Sequence, residues 1–420
     1  MHIPFCFHKC HYCDFYSIVD RQNRQSQFTD RLLRELQAAS HLLDQQNIRP
    51  VSRQLSLNTT EISDDQGLKS FFVGGGTPTL LNLEYWDRIL PALARHFPID
   101  SQTEFTVEAN PETVTPELMS RLARGGVNRI SIGGQSFNPT LLKILERWHD
   151  PVNVDRAVDI SRNAGITNIN IDLIFGIPGQ TTEDWLRDLD RALSLKPTHL
   201  SCYALTFEPG TAMTARKNAG EFHAIDEKIE AEMFLATRRI LTEQGFNAYE
   251  ISNFALQESN HAGDKKPDFR CQHNLAYWRN ENWFAIGPAA SGHWANYRWK
   301  NVPHLQQYLT NNPDLDGLPT IQDVEHATPQ VQLAERMMMG FRLAEGLELS
   351  SLLSEAAQFN RAEELQSQLN RQIENGMMER LPPDLTRIAL TSPKGLLLSD
   401  TVIAELMSTV YSPDSPMPTR

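Results

Sequence analysis

Residues 3–17 read IPFCFHKCHYCDFYS, which puts Cys6, Cys10 and Cys13 in a C-x3-C-x2-C spacing. Three thiolates on one short loop suit three corners of a 4Fe-4S cluster and leave the fourth iron without a protein ligand. An iron left open in this way can bind a small molecule and pass it an electron. The competing chemistry is a structural zinc site, with His8, His11 or Asp14 completing a tetrahedron. Zinc sites more often combine a C-x2-C pair with a second, distant pair, and the other two cysteines here, Cys202 and Cys271, stand alone.

Outward from this loop, to about residue 205, short β-rich runs alternate with amphipathic stretches. The runs are SFFVGG near 70, TEFTVEAN near 103, NRISIGG near 128, NINIDLIFG near 168 and HLSCYAL near 199. Between them Glu84–His96, Pro116–Arg124, Val154–Ala164 and Glu183–Leu195 carry helical periodicity after a polar or proline start. Counting a short first strand, this is sixfold βα repetition, the pattern of an α/β protein with a parallel sheet that is open or curled into a partial barrel. Chemistry in such sheets gathers at the carboxyl ends of the strands.

Several residues are placed at that rim. Gly75, Gly76 and Thr77 in FVGGGTP follow a strand, where glycine permits a positive φ and lets a ligand approach the main chain. No lysine follows at the spacing of a nucleotide-triphosphate loop. Glu108 ends the strand TEFTVE and can accept hydrogen bonds from hydroxyl or ammonium groups, or can be a solvated loop acid. Asp172 interrupts an apolar strand, where an unpartnered charge is costly, so a ligand or a buried donor is expected beside it. Arg147 in ILERWHD can clamp a carboxylate with two hydrogen bonds or form a surface ion pair.

After Leu205 the pattern changes to a long helix, Asp226–Gln244, a strand over Asn247–Phe254, and a polar exposed loop over Gln257–Arg270. Ala285–His293 is rich in small residues, which suits close approach to a flat ligand or tight packing. Beyond about 300 the chain reads as mainly helical, with Arg387–Met407 suggesting a hairpin or wing that leads into a last helix. Met337, Met338 and Met339 fall on different faces of a helix and read as core filling. Residues 411–420 have the composition of a disordered tail.

Composition excludes some classes. No apolar run approaches the roughly 18 residues that a membrane helix needs. The first residues show no basic segment followed by an apolar stretch, so cytoplasmic residence is expected. Five cysteines, three of them clustered, do not make a disulfide framework. A formal charge of -13 argues against nucleic acid as a partner, because phosphate binding normally needs a basic face.

The cluster loop and its aromatic flanks resemble the radical S-adenosylmethionine (SAM) superfamily. The series HIPFC, GGGTPT, EANPE, SIGGQSF, DLIFGIPGQT, YEISNFA, HNLAYW and LTSPKGLLLS resembles its HemW family, one of the oxygen-independent coproporphyrinogen III oxidase-like radical SAM proteins. The resemblance implies a partial (β/α)6 radical SAM barrel over residues 1–205 and an extension over 206–300 that carries the HNxxYW segment. A mainly helical, winged-helix-like domain over 301–410 is implied beyond it. In the family further residues precede the position of Met1 and complete the first strand, which implies either an upstream start or a shortened strand here.

The same resemblance implies a 4Fe-4S cluster on Cys6, Cys10 and Cys13, and SAM contacts from Gly75, Gly76, Thr77, Glu108, Gln135, Arg147 and Asp172. It associates His273 with heme, with Cys271 as an alternative iron ligand and with Tyr277 and Trp278 offering flat apolar surface to a porphyrin. Without heme, the same segment reads as a helix that caps the barrel with its aromatic side chains. The implied function is a heme chaperone that delivers heme to respiratory proteins, with an electron donor for the cluster. No nucleic acid and no membrane span are expected, and association with a membrane surface stays open. The enzyme alternative is oxygen-independent coproporphyrinogen III oxidase, which uses a SAM-derived radical to decarboxylate propionates to protoporphyrinogen IX. That enzyme extends its motif to a fourth cysteine, where this chain has Phe15.

Overall fold

The computed structural model describes residues 1–45, 68–257, 267–310 and 317–410. The expected disordered tail, and residues 258–266 of the expected polar loop, lie outside the described residues. Six parallel strands run in chain order across one sheet: β1 (His2–Ile3), β2 (Ser70–Gly75), β3 (Glu104–Ala109), β4 (Arg129–Gln135), β5 (Asn168–Phe175) and β6 (His199–Ala204). The sheet gains two antiparallel strands, β7 (Phe246–Ala248) and β8 (Asn253–Leu256), with β8 next to β6. The single strand expected over Asn247–Phe254 is therefore a hairpin. Glu250 turns the chain there by accepting from Ser252 N at 2.8 Å.

The helices expected between and after the strands form, and three that the sequence pattern did not mark join them over 25–45, 139–144 and 212–218. They are α1 (Gln25–Gln45), α2 (Leu83–His96), α3 (Pro116–Arg124), α4 (Pro139–Ile144), α5 (Val152–Asn163), α6 (Thr182–Ser194), α7 (Ala212–Asn218), α8 (Glu227–Glu243) and α9 (Gln272–Trp278). Thr115 caps α3 through Leu118 N with proline in the first turn. Thr181 and Asp184 form a reciprocal capping box on α6. In α2 the buried residues Tyr85, Trp86, Ile89, Leu90 and Leu93 repeat at helical spacing and form the face turned to the sheet.

Strand alternation decides what faces where. Val73, Phe105, Val107, Ile130, Ile132, Ile169, Ile171, Leu173 and Leu200 turn outward and join the helices in the main hydrophobic core. The opposite face is polar: Glu104, Thr106 and Glu108 on β3, Arg129 and Ser131 on β4, Asn170 and Asp172 on β5, His199 and Ser201 on β6. Their register, with Glu108 beside Ser131, Ser131 beside Asn170 and Asp172 beside Ser201, stacks them into one wall. This is a partial barrel with a hydrophilic interior.

A second core forms from Leu333, Met337, Phe341, Leu352, Leu369, Ile388, Ile403 and their neighbours. Its helices pack around a three-stranded antiparallel sheet of Leu347–Glu348, Arg387–Leu390 and Met378–Leu381, of which only Arg387–Leu390 lies in the range expected to hold the hairpin; the rest of that range forms the helices Lys394–Leu397 and Ser399–Ser408. Val302, Leu305 and Tyr308 belong instead to the main core, so the change of core falls past the expected division at 300. The sequence pattern also missed a small antiparallel sheet of Ser291–Trp294, Tyr297–Asn301 and Ile321–His326. Its outer strand is almost entirely exposed and so lacks an apolar alternation.

Candidate functional site

The cluster loop leaves β1 at the carboxyl rim of the barrel and is held there by main-chain bonds. Gly76 N donates to Ile3 O at 2.8 Å, Thr77 N to Phe5 O at 2.7 Å, and Cys6 N to Ile18 O at 2.8 Å. A side chain at Gly76 would meet Phe5 O at 2.6 Å, so this glycine serves the approach of the cysteine loop itself. Gly75 adopts a φ of 104°, which a glycine tolerates.

Each of two cysteines has a donor on its sulfur. Thr77 Oγ1 lies 3.6 Å from Cys6 Sγ, and Arg147 Nη1 lies 3.6 Å from Cys10 Sγ. Burial raises the pKa of Cys6 and pushes Cys13 up to about 11. Cys6 and Cys13 as free thiols are therefore kept neutral, and a bound metal would have to hold them as thiolates. Among the described residues no three Cys, His, Asp or Glu side chains converge closely enough to share one metal ion, as tetrahedral zinc requires. Ligands on separate irons need no such convergence. The side chains considered as a fourth zinc ligand are engaged or turned away: His8 stacks on Trp148 with centroids 4.1 Å apart, His11 Nδ1 accepts from Arg216 Nη1 at 3.1 Å, and Asp14 is exposed. The donor set fits a three-cysteine cluster.

The remaining rim residues gather beside this loop. Arg147 donates through Nη2 to Gly133 O at 3.1 Å and through Nε to His149 Nδ1 at 3.3 Å. Gln135 follows a register shift at the end of β4 and has a φ of 61°, a left-handed conformation uncommon for a residue with a side chain. Glu108 Oε2 accepts from Gly75 N at 3.1 Å. Asp172 accepts from Ser131 Oγ at 2.9 Å and from Asn170 Nδ2 at 2.8 Å, the buried donors its place in an apolar strand required. Burial, and then the charge of Asp172, push the pKa of Glu108 up to about 7, partly offset by the Gly75 N–H. Burial likewise raises Asp172. Two confined carboxyl groups beside one another suit a cationic ligand, which would favour their ionised forms.

His273 lies elsewhere. Helix α9 sits at the amino ends of the strands, beneath the lumen, where Glu104 and Arg129 begin β3 and β4. The His273 ring stacks on Phe72 with centroids 4.5 Å apart and meets Tyr277 edge-on at 4.8 Å. Its ring nitrogens have no hydrogen-bond partner among the described residues, and burial lowers its pKa to about 3. Tyr277 in turn stacks on Trp283 at 4.2 Å, and Arg342 lies over Trp278 at 5.6 Å. Cys271 is buried, with Sγ 3.5 Å from Glu104 Oε1. Helix α9 and the three-cysteine loop thus occupy opposite ends of the barrel.

Sequence reasoning missed the polar wall between them. His199 is fully buried and bridges Asn170 Oδ1 at 2.6 Å and Tyr249 Oη at 2.9 Å, and Tyr249 Oη accepts from Cys271 N at 3.3 Å. Through Asn170, which reaches Asp172, the hydrogen bonds run from rim to floor. The available signal was polar residues at every second position, Arg129 and Ser131, Asn170 and Asp172, His199 and Ser201, in strands otherwise apolar.

The small-residue run Ala285–His293 resolves to packing. Gly287 N donates to the buried Glu35 at 3.0 Å, and a side chain at Gly287 would meet His2 O at 2.3 Å.

Comparison with known proteins agrees with this architecture. Residues 1–192 match the Radical SAM superfamily. The heme chaperone HemW of Lactococcus lactis is 34% identical over 82% of this chain and 81% of its own length. That of Bacillus subtilis is 34% identical over 83% of each. The HemW of Mycobacterium tuberculosis is 32% identical over 97% of this chain and 94% of its own. Among solved structures, coproporphyrinogen III oxidase (HemN) from Escherichia coli superposes with a TM-score of 0.75 over 97% of this chain and 88% of that one, at 21% identity, a likeness of fold. Among the described residues no helix is long and apolar enough to cross a membrane. With a three-cysteine loop at the rim of a partial (β/α)6 barrel and these relatives over most of its length, the chain belongs to the HemW family of the radical SAM superfamily.

Proposed function

We propose that this protein is a heme chaperone that binds a 4Fe-4S cluster, SAM and heme, and delivers heme to respiratory proteins. The carrying observation is the pairing, in one barrel, of a three-cysteine rim with a segment whose histidine ring has no hydrogen-bond partner among the described residues. Cys6, Cys10 and Cys13 would hold the cluster, whose open iron would anchor SAM and supply it with an electron from an external donor.

The chain's own residues prepare the rim for that cofactor. Glu108 and Asp172 offer negative charge to a sulfonium or ammonium group, and Gly75, Gly76 and Thr77 bring main chain close to it. Arg147 has a guanidinium near Cys10 that can pair with a carboxylate from the same ligand. Gln135, in a left-handed conformation after the register shift at the strand end, would contact the same ligand. Phe15 is 58% exposed at the position where the related oxidase carries a further cysteine, which supports the chaperone reading over the decarboxylase.

Heme is the cargo, with His273 as its proposed iron ligand through neutral imidazole, the form that burial favours. Anaerobic reconstitution of the cluster followed by hemin titration tests the reading. Saturable binding that weakens at least tenfold in His273→Ala is expected, together with no protoporphyrinogen from coproporphyrinogen III, SAM and reductant. Absence of saturable heme binding by cluster-loaded protein overturns it.

A further inference from the structure

The polar wall of the lumen is dry along most of its length. Asn170, His199 and Ser201 are 1%, 0% and 2% exposed, and Ser131 and Tyr249 are buried beside them. Asp172 alone in this linked group is only partly buried. Whatever these residues do for a ligand in the lumen is therefore done through the Asp172 carboxylate.

The bonding pattern assigns the protons along the wall. A carboxylate only accepts, so Asn170 turns its Nδ2 toward it, donating to Asp172 Oδ1 at 2.8 Å and to Ser131 Oγ at 2.7 Å. Ser131, having accepted there, donates to Asp172 Oδ2 at 2.9 Å. Asn170 Oδ1 then faces donors, His199 Nδ1 at 2.6 Å and, farther off, Ser201 Oγ at 3.2 Å. Burial and the charge of Arg129 lower the pKa of His199 well below its ordinary value, so the ring is neutral and carries one proton, on Nδ1. Its bare Nε2, 2.9 Å from Tyr249 Oη, accepts the tyrosine proton, and the tyrosine oxygen accepts from Cys271 N at 3.3 Å. Every hydrogen bond from Cys271 to Asp172 thus points the same way.

Aligned hydrogen bonds polarise one another in a low-dielectric interior, and a row whose donors all face one carboxylate favours its ionised form. Burial raises the pKa of Asp172, and the hydrogen bonds, that from Ser131 first, oppose the rise. Ser131 and Asn170 also take one acceptor position on each carboxylate oxygen, which fixes the plane of the group and leaves capacity for a further donor. A hydroxyl or ammonium group of a ligand meets that capacity, and an anionic group does not.

We propose that Asn170, His199 and Tyr249 are positioning residues of the cofactor site, which hold Asp172 as an oriented, ionised acceptor for a hydroxyl or ammonium group of SAM. The proposal rests on the reading that SAM binds at this rim with Asp172 as a contact. Tyr249 is two residues removed from Asp172 along the row, so its effect on the ligand has to pass through His199 and Asn170. In Tyr249→Phe nothing donates to His199 Nε2, the ring proton is free to move there, and Asn170 loses its donor. If these bonds served only to satisfy buried polar groups, breaking them would cost stability with no effect specific to Asp172.

The test uses full-length, cluster-loaded protein under anaerobic conditions, with SAM affinity measured by equilibrium dialysis and folding followed by thermal unfolding. Tyr249→Phe should weaken SAM binding at least fivefold with iron content preserved. In an Asp172→Asn background the same substitution should change affinity less than twofold, because its route to the ligand has been cut. His199→Asn sets an amide N–H near the place of Nδ1 and should recover most of the affinity that His199→Leu loses. Where Asp172→Asn binds too weakly for comparison, the two His199 variants decide.

Unchanged affinity in Tyr249→Phe, equal losses in the two backgrounds, or a His199→Asn variant as weak as His199→Leu overturns the positioning role and leaves SAM binding in place. If wild-type protein binds no SAM at all, the cofactor reading falls and the proposal with it.

Discussion

The carboxylate of Glu108 accepts a hydrogen bond from the backbone N–H of Gly75 at 3.1 Å, joining the end of β3 to the glycine turn that follows β2. That turn also anchors the cysteine loop, so one acid links the end of β3 to the three-cysteine segment. Its environment makes the link sensitive to pH.

Burial and the nearby Asp172 raise Glu108 to about 7 in the folded protein, above its ordinary range. The folded state then binds more protons than the unfolded chain between about pH 4.5 and 7, so this residue's contribution makes stability fall as pH rises through that window. The full effect is on the order of 3 kcal/mol. Chemical denaturation across the window should show this slope reduced in Glu108→Gln. An unchanged slope in the variant would assign it to other groups.

Cluster loading should depend on the three loop cysteines and on no others. Cys6→Ser, Cys10→Ser and Cys13→Ser are each expected to lose most bound iron and sulfide after anaerobic reconstitution, whereas Cys202→Ser retains them. Cys202 is buried in the main core on the helical side of the sheet, away from the rim. Iron and sulfide assays with the visible absorption spectrum distinguish the outcomes.

Arg147 should matter for SAM affinity beyond its charge. Replacing its fork by a single ammonium in Arg147→Lys loses the bond to Gly133 O and the capacity for a paired contact to a carboxylate. Equilibrium dialysis with SAM should show affinity reduced roughly tenfold, about 1.4 kcal/mol, with iron content preserved. Equal affinity would remove Arg147 from the cofactor site.

Gly76→Ala introduces a methyl group 2.6 Å from Phe5 O and 2.8 Å from Ile3 O, backbone atoms that cannot turn aside. A cost of about 1–3 kcal/mol is expected from overpacking, with part of the cluster lost as the loop is pushed off the sheet. Gly179→Ala meets no atom within 4 Å and should cost only the strain of its positive φ, roughly 1–2 kcal/mol, with the cluster kept. Thermal unfolding and iron content together separate the two.

The barrel was legible because alternating strands and amphipathic helices repeat, and start signals such as Thr115 before Pro116 and Thr181 before Asp184 fix helix ends locally. The grouping of three cysteines on one loop was legible for the same reason, since they are neighbours in sequence. The wing was visible only in part, because the strand that pairs with Arg387–Leu390 lies upstream, over Met378–Leu381, across a turn that begins at Pro382. The floor of the barrel was not, because Glu104 and His273 lie 169 residues apart and no local pattern ties a strand's first residue to a distant helix. The two rings that cover His273, Phe72 and Tyr277, read in sequence as a strand position and a porphyrin platform. The strand pair around Glu250 was read as one run because its turn has no glycine or proline.

The hydrophilic wall of the lumen also sets the thermodynamic character of whatever enters it. A ligand arriving at the rim exchanges water for hydroxyl, amide and carboxyl groups and covers little hydrocarbon, so its association should carry a small heat-capacity change. Calorimetry at several temperatures would thus distinguish a guest in the upper chamber from one that displaces the aromatic floor, for which heat capacity should fall steeply.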